Sequence, residues 1–211
     1  MADTLQIPFL ECKDGAAIGE ISAMLDSLPR TPIAHAPWAE FPYVPEASFT
    51  TVWTNGFLII KYYVKEEEAT ATYKNSNDPV YEDSCVEFFV SAEGGYYNFE
   101  FNCEGVCLAG FGAGKTDRTP LPESSIRQIQ VQSEIIHSLN GDDYWELCVQ
   151  IPFELFSADK PSLLREGFKA NFYKCGDNLP TPHFLCWSNI DTPVPNFHVP
   201  EFFGQAYFQQ N

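Results

Sequence analysis

"CVEFFVSAEGGYYNFEFN", residues 85–102, decides the fold. Bulky apolar residues recur at every second position on both sides of a Glu-Gly-Gly turn, the period of two antiparallel strands that each bury one face. Val86, Phe88 and Val90 share one side of the first strand; Tyr97, Phe99 and Phe101 share one side of the second. Placing those two rows together in a core fixes the register, because a slip of one residue would carry Glu100 inside. The opposite row then holds Glu87, Asn98, Glu100 and Asn102 on one solvent-accessible face, at cross-strand spacings of roughly 5–8 Å.

The neighbouring sequence repeats the pattern. "FLIIKYYVKE" (57–66), "RQIQVQSEII" (127–136), "YWELCVQIP" (144–152) and "FKANFYKC" (168–175) read as further strands, with "NGDD" (140–143) as the turn between the middle two. Before them, "AAIGEISAMLDSL" (16–28) sets Ile18, Ile21, Leu25 and Leu28 on one helical face, and Pro29 ends it. Short strands at regular spacing with little helix predict an antiparallel β-sandwich, immunoglobulin- or jelly-roll-like, with a short N-terminal helix. No repeat or long linker divides the chain. Residues 1–48 form a Pro-punctuated lead-in packed on the sandwich and 49–211 the sandwich itself, together one structural domain. Trp53 and Trp187, with Phe202, Phe203 and Phe208, belong to the core.

Composition narrows the function. The 211 residues are 45% hydrophobic and 15% aromatic, ample for a packed interior. Twelve Lys and Arg against 29 Asp and Glu give a net charge of −17, which repels a nucleic-acid backbone and an anionic membrane alike. No segment reaches the ~20 apolar residues of a membrane span. The N-terminal "MADTLQIPFLECKDG" lacks the basic and apolar regions of an export signal, so a cytoplasmic location is expected. Seven cysteines without CxxC spacing then read as reduced, mostly buried thiols.

The polar row around Glu87 reads in two ways. It is the wet face of a half-buried sheet, or it is a binding platform. Carboxylates and amides suit sugar hydroxyls, which both donate and accept, and neighbouring aromatic rings suit the apolar face of a pyranose.

Three motifs favour the platform. "NSNDPVYEDSCVEFF" (75–89), "GYYNFEFN" (95–102) and "CWSNIDTPVPNFHVPEFFG" (186–204), in that order, resemble carbohydrate-binding module family 9, in its stand-alone branch, over roughly residues 50–208. The resemblance implies a non-catalytic module that recognises a sugar or the end of a glycan chain and serves polysaccharide or oligosaccharide metabolism. It places Tyr81 and Phe197 at the family's two clamping tryptophans, Glu87 at its hydroxyl-binding carboxylate, and Asn102 and Asn171 at its amides. His198 stands beside Phe197, and Glu100 occupies a position where the best-known members carry arginine. Cys85 is a one-residue insertion in the first motif. Family members use structural Ca²⁺, for which the turn offers Asp78, Glu82 and Asp83; no other cofactor is implied. The expected partner is a mono- or oligosaccharide. Two other readings stand beside it: a protein-interaction module that kept the fold and lost the sugar, and a glycoside hydrolase using Glu87 and Glu100. A haem-binding relative of the fold is disfavoured, because Met1 and Met24 lie outside the strands.

Overall fold

Which side chains meet between the sheets is set by the alternation just described. The computed structural model describes residues 3–13, 15–139, 141–157 and 160–209. The larger sheet contains β1 (Thr4–Ile7), β5 (Cys85–Ala92), β6 (Gly95–Asn102), β7 (Cys107–Gly112), β8 (Arg118–Pro120), β11 (Phe168–Cys175), β12 (Phe184–Cys186) and β13 (Gly204–Phe208). Its spatial order is β1-β13-β11-β5-β6-β7-β8, with β12 paired to one end of β11. The smaller sheet runs β2 (Thr31–Pro32), β3 (Glu46–Trp53), β4 (Phe57–Glu66), β10 (Asp143–Pro152) and β9 (Gln130–Ile136). Every pairing between these strands is antiparallel except that of β1 with β13. The chain is a β-sandwich. No helix among the described residues is long and apolar enough to cross a membrane.

The hairpin register is the one the sequence requires: Val86 pairs with Phe101, Phe88 with Phe99 and Val90 with Tyr97. Gly94 makes the turn possible, with φ of +79°. The inward rows meet β3, β4 and β10 in the main core, where Phe49 stacks on Phe172 across the sheets with centroids 3.9 Å apart. Trp53, Trp187, Phe203 and Phe208 are buried, and Phe202 is partly so. The 127–136 segment becomes strand only at Gln130, because a short helix, α2 (Glu123–Ile126), and its closing turn use the residues before it. In the "NGDD" turn, Asn140 lies outside the described residues.

The lead-in is woven into the sandwich. It supplies β1 to one sheet and β2 to the other, while α1 (Ile18–Leu25) lies on the outer face of the smaller sheet. Ile21 and Leu25 pack there on Val52, Ile59 and Cys148. Lys61, from β4, ties the end of that helix to the sheet, with ion pairs to Asp26 (2.5 Å) just past the helix and to Glu146 (2.6 Å) of β10.

The outer face of the larger sheet differs from the expectation. Glu87, Asn98, Glu100 and Asn102 are exposed by only 3%, 2%, 4% and 0%. The reason is their company: Cys85, Phe89, Tyr96, Tyr173 and Cys175 share the face and are apolar or aromatic. Trp38, Ile190, Phe197, Val199 and Phe203, carried by the segments before β3 and after β12, cover them as a second core. The fold is in effect three layers thick here.

A charged pair lies buried between the sheets. Lys174, on the inward row of β11, is fully buried and forms an ion pair with Glu66 at 2.9 Å, without hydrogen-bond alignment. It donates to His183 Nε2 (2.7 Å) and the Cys175 carbonyl (2.8 Å), while Trp145 donates to Glu66 Oε1 (2.6 Å). Burial, then the Lys174 charge, lower the His183 pKa to about 3, so the ring stays neutral and accepts. Removing one partner strands the other charge. Lys174→Met should therefore cost about 3–5 kcal/mol in denaturant unfolding, and adding Glu66→Gln should recover a substantial part.

Candidate functional site

A cavity of about 350 Å³ opens on the outer side of the β5–β6 hairpin, at the small end of the roughly 300–1,000 Å³ range of ligand pockets. Its floor is the polar row of the sheet. Glu87 and Glu100 are direct cross-strand partners, and Asn98, two residues before Glu100, donates from Nδ2 to Glu100 Oε1 at 2.7 Å. Leu108 and Gly110 of β7 continue the floor. The walls are mostly loops: Asn77 and Tyr81 from the turn before β5, Lys115 from the β7–β8 connection, Asp177 just beyond β11, and Asn196 to His198, with Arg118 at the start of β8.

Each wall is pinned by side chains outside or at the edge of the cavity. Asn77, at φ of +66°, donates to the Leu121 carbonyl and accepts from Ala109 N–H, fastening its turn to β7. Asp83 accepts from Thr72 and Tyr73 N–H groups and from Asn102 Nδ2. The Asp177 N–H donates to the Tyr81 carbonyl at 3.0 Å, joining two walls. Gly204, in the "PEFFG" motif, is required because a Cβ there would lie 2.6 Å from the Trp187 ring.

Five of the seven residues singled out in the sequence line the cavity: Tyr81, Glu87, Glu100, Phe197 and His198. Tyr81 stands at the rim, 37% exposed. Phe197 is nearly buried and stacks on Tyr173 with centroids 4.1 Å apart, so one of its faces is already occupied. His198 pairs through Nδ1 with the Tyr96 hydroxyl at 2.9 Å; burial, with Arg118 and Lys115 nearby, lowers its pKa to about 3 and keeps it neutral. Asn102 and Asn171 lie outside the cavity. Asn102 donates to the Tyr73 carbonyl and Asp83 and accepts from Val106 N–H. Asn171 donates to the Ser188 carbonyl and accepts from the Phe172 and Ser188 N–H groups.

The structure adds Arg118 and Asp177. Arg118 lies 4.4 Å over the Tyr96 ring, donates from Nε to Asn98 Oδ1 (3.0 Å), and reaches the Tyr96 and Gly110 carbonyls through Nη2. Nothing in "GAGKTDRTP" marks it beforehand, since its strand is three residues long and follows a glycine-rich turn. A cation thus enters from β8, although Glu100 occupies the position expected to hold arginine.

Burial dominates the electrostatics. It raises the Glu100 carboxyl to about 7 and Asp177 to about 6, and lifts Glu87 well above the carboxylate range, with Glu100 adding repulsion. Among the described residues, two fully buried side-chain atoms of residues lining this site have no hydrogen-bond partner: Glu100 Oε2 and Arg118 Nη1.

Among the described residues, three potential metal ligands converge only at Cys85, Glu87 and Cys175. Burial raises both thiols, Cys85 to about 12, and Cys175 Sγ donates to Glu87 Oε1 at 3.2 Å. Asp78, Glu82 and Asp83 do not converge in that way. Asp78 caps Asn75, Glu82 accepts from the Tyr73 hydroxyl, and Asp83 is spent on its loop, so the set does not fit calcium's six to eight oxygens.

Residues 20–208 match carbohydrate-binding family 9, and the chain belongs to that family. A Bacteroides uniformis ATCC 8492 protein proposed to bind carbohydrate is 34% identical, with 99% of this chain and 100% of that one aligned at a TM-score of 0.87. A family 9 module from Caldicellulosiruptor kristjanssonii shares the fold at much lower identity. In complex with glucose it gives 12% identity and a TM-score of 0.64 over 99% of this chain and 97% of that one. In complex with cellotriose the values are 13% and 0.60 over 99% and 95%. No curated protein matches the chain.

The raised Glu100 has a measurable consequence. Between the ordinary carboxylate value of 4.5 and about 7 the native state holds a proton that the unfolded state releases. Stability from this group is whole below the unfolded value and is lost as pH rises through about 7. Glu100→Gln cannot ionise, so its stability relative to wild type should improve by ~1–3 kcal/mol between pH 5 and pH 8 in thermal melts. A constant difference would show that Glu100 does not carry this shift. Asn102→Ala and Asn171→Ala, which orphan buried partners, should each cost about 1–3 kcal/mol at either pH.

Proposed function

We propose that this protein is a non-catalytic sugar-binding module whose cavity takes a mono- or oligosaccharide or the end of a glycan chain. The observation that carries the reading is the unpartnered pair at the cavity, Glu100 Oε2 and Arg118 Nη1. Buried polar atoms are almost always hydrogen-bonded, and an acceptor and a donor lining one cavity are what a ring bearing hydroxyls satisfies. Tyr81 supplies a ring surface at the rim, Phe197 and Phe184 supply apolar wall, and Glu87, Glu100 and Arg118 read hydroxyls. Family membership and the glucose and cellotriose complexes of the Caldicellulosiruptor module support the same reading.

The carboxylate geometry argues against hydrolysis. A glycosidase flanks the scissile bond with two carboxyls, one kept protonated and one ionised. Glu87 and Glu100 instead approach from adjacent strands of one sheet, on the same side of a ligand, and burial raises both. They are suited to holding hydroxyls.

Calorimetric titration with neutral mono- and oligosaccharides, glucose and cellotriose among them, should show saturable binding reaching into the millimolar range, worth ~4 kcal/mol. Tyr81→Ala, an exposed rim position, should weaken it roughly tenfold with an unchanged melting temperature, and aryl glycosides should remain uncleaved. Absence of binding across the panel would overturn the proposal in favour of an interaction module with the same fold.

A further inference from the structure

The cavity floor carries more acid than it neutralises. Glu87, Glu100 and Asp177 all face it, and among the described residues none of the three forms an ion pair within 4.0 Å. The basic groups nearby offset it only in part: Arg118 and Lys115 lower Glu100, and Lys115 lowers Glu87 and Asp177, without outweighing burial. Arg118 is committed to Asn98, two carbonyls and the Tyr96 ring, and Lys115 stands exposed on its loop. Glu100 is 96% buried by its 4% exposure, accepts one hydrogen bond through Oε1, and leaves Oε2 unpartnered in the cavity lining. Burial, with repulsion from Asp177, raises Glu100 to about 7, and burial with repulsion from Glu100 raises Glu87, so the floor takes up protons more readily than free carboxylates; a proton is the smallest cation it could hold.

A neutral sugar satisfies the hydrogen bonds of such a floor but brings no charge. A uronic acid would set a third carboxylate against the pair. Resting on the sugar-binding reading above, we propose that the ligand class preferred by this site is a hexosamine with a free amine, whose ammonium is held by Glu100 Oε2 while a ring oxygen accepts from Arg118 Nη1. An N-acetylated sugar loses the advantage, because its amide is uncharged and bulkier. Amine and hydroxyl on one ring match the acceptor and donor that the floor and the wall leave free.

The test compares D-glucosamine, D-glucose and N-acetyl-D-glucosamine by calorimetry at pH 7 on the full chain. Wild type should bind glucosamine at least tenfold more tightly than glucose, with N-acetylglucosamine no better than glucose. The readout for the site is the glucosamine-to-glucose affinity ratio, which Glu100→Gln should bring close to one. Asp177→Asn, nearer the surface, should lower it severalfold and serves as the second variant should Glu100→Gln fold poorly. Equal binding of glucosamine and glucose by wild type overturns the hexosamine proposal and leaves the sugar-binding reading standing. A ratio that survives both substitutions also overturns it. Binding of none of the three sugars, nor of any neutral oligosaccharide, overturns the proposal together with the reading beneath it.

Discussion

The site depends on a constraint set by the core: Phe88 and Phe99 must face the other sheet. They are cross-strand partners stacked within an aromatic cluster that includes Phe172 and Phe156. Burying each such ring is worth roughly 2–3 kcal/mol, and a one-residue slip would forfeit several at once. With those rings inward, Glu87 and Glu100 have no choice but to project outward, opposite one another. The acidic pair at the cavity floor is therefore held in register by hydrophobic packing on the far side of the same two strands. Side chains on a rigid sheet, locked from behind, are a better-defined recognition surface than the same groups on a loop.

The second layer makes that surface a cavity. A face whose polar residues Glu87, Asn98, Glu100, Asn102 and Asn171 lie among Cys85, Phe89, Tyr96 and Tyr173 cannot remain a wet face, because its aromatic area drives loops down upon it. The loops bring their own rings, Trp38 and Phe197, which pack with Phe184 of β12 and leave a cavity over the acids. Asn77, Asn102 and Asn171 then act as fasteners, each engaging backbone groups of a segment that would otherwise pass over the sheet unpaired. Holding the walls before a ligand arrives reduces the ordering cost of binding, which matters most for a weak, small ligand.

This division explains what the sequence made legible. Strands 57–66, 85–102 and 168–175 and the helix near Ile21 are written in local periodicity, and the pairing of Glu87 with Glu100 follows from it. The covering of the outer face is not local. It depends on residues more than 90 positions apart, such as Phe89 against Phe203, carried by proline-rich segments without a repeating pattern. Strand β1 was similarly hidden, since four residues have too little periodicity to announce a parallel partner 200 positions away. Arg118 was hidden for the same reason, lying on a strand of three residues. Asn102 and Asn171 illustrate a different limit: a motif can place a residue near a site while its hydrogen bonds are spent on the frame.

Arg118 also changes how the departure at Glu100 is understood. In the family resemblance the cation belongs on the floor, in the β6 row. Here the floor residue is an acid and the guanidinium reaches the cavity from β8, over the Tyr96 ring and anchored to Asn98. The exchange is not neutral. A floor arginine beside Glu87 would have been its counter-ion and held its carboxyl ionised. With the arginine moved to the wall and turned toward carbonyls, Glu87 and Glu100 face each other without an ion pair, and burial raises both, Glu100 to about 7. Where the cation sits thus decides whether the floor offers a neutralised ion pair or an acid pair with a free oxygen. The same fold, loops and aromatic walls would then discriminate ligands by charge as well as by shape.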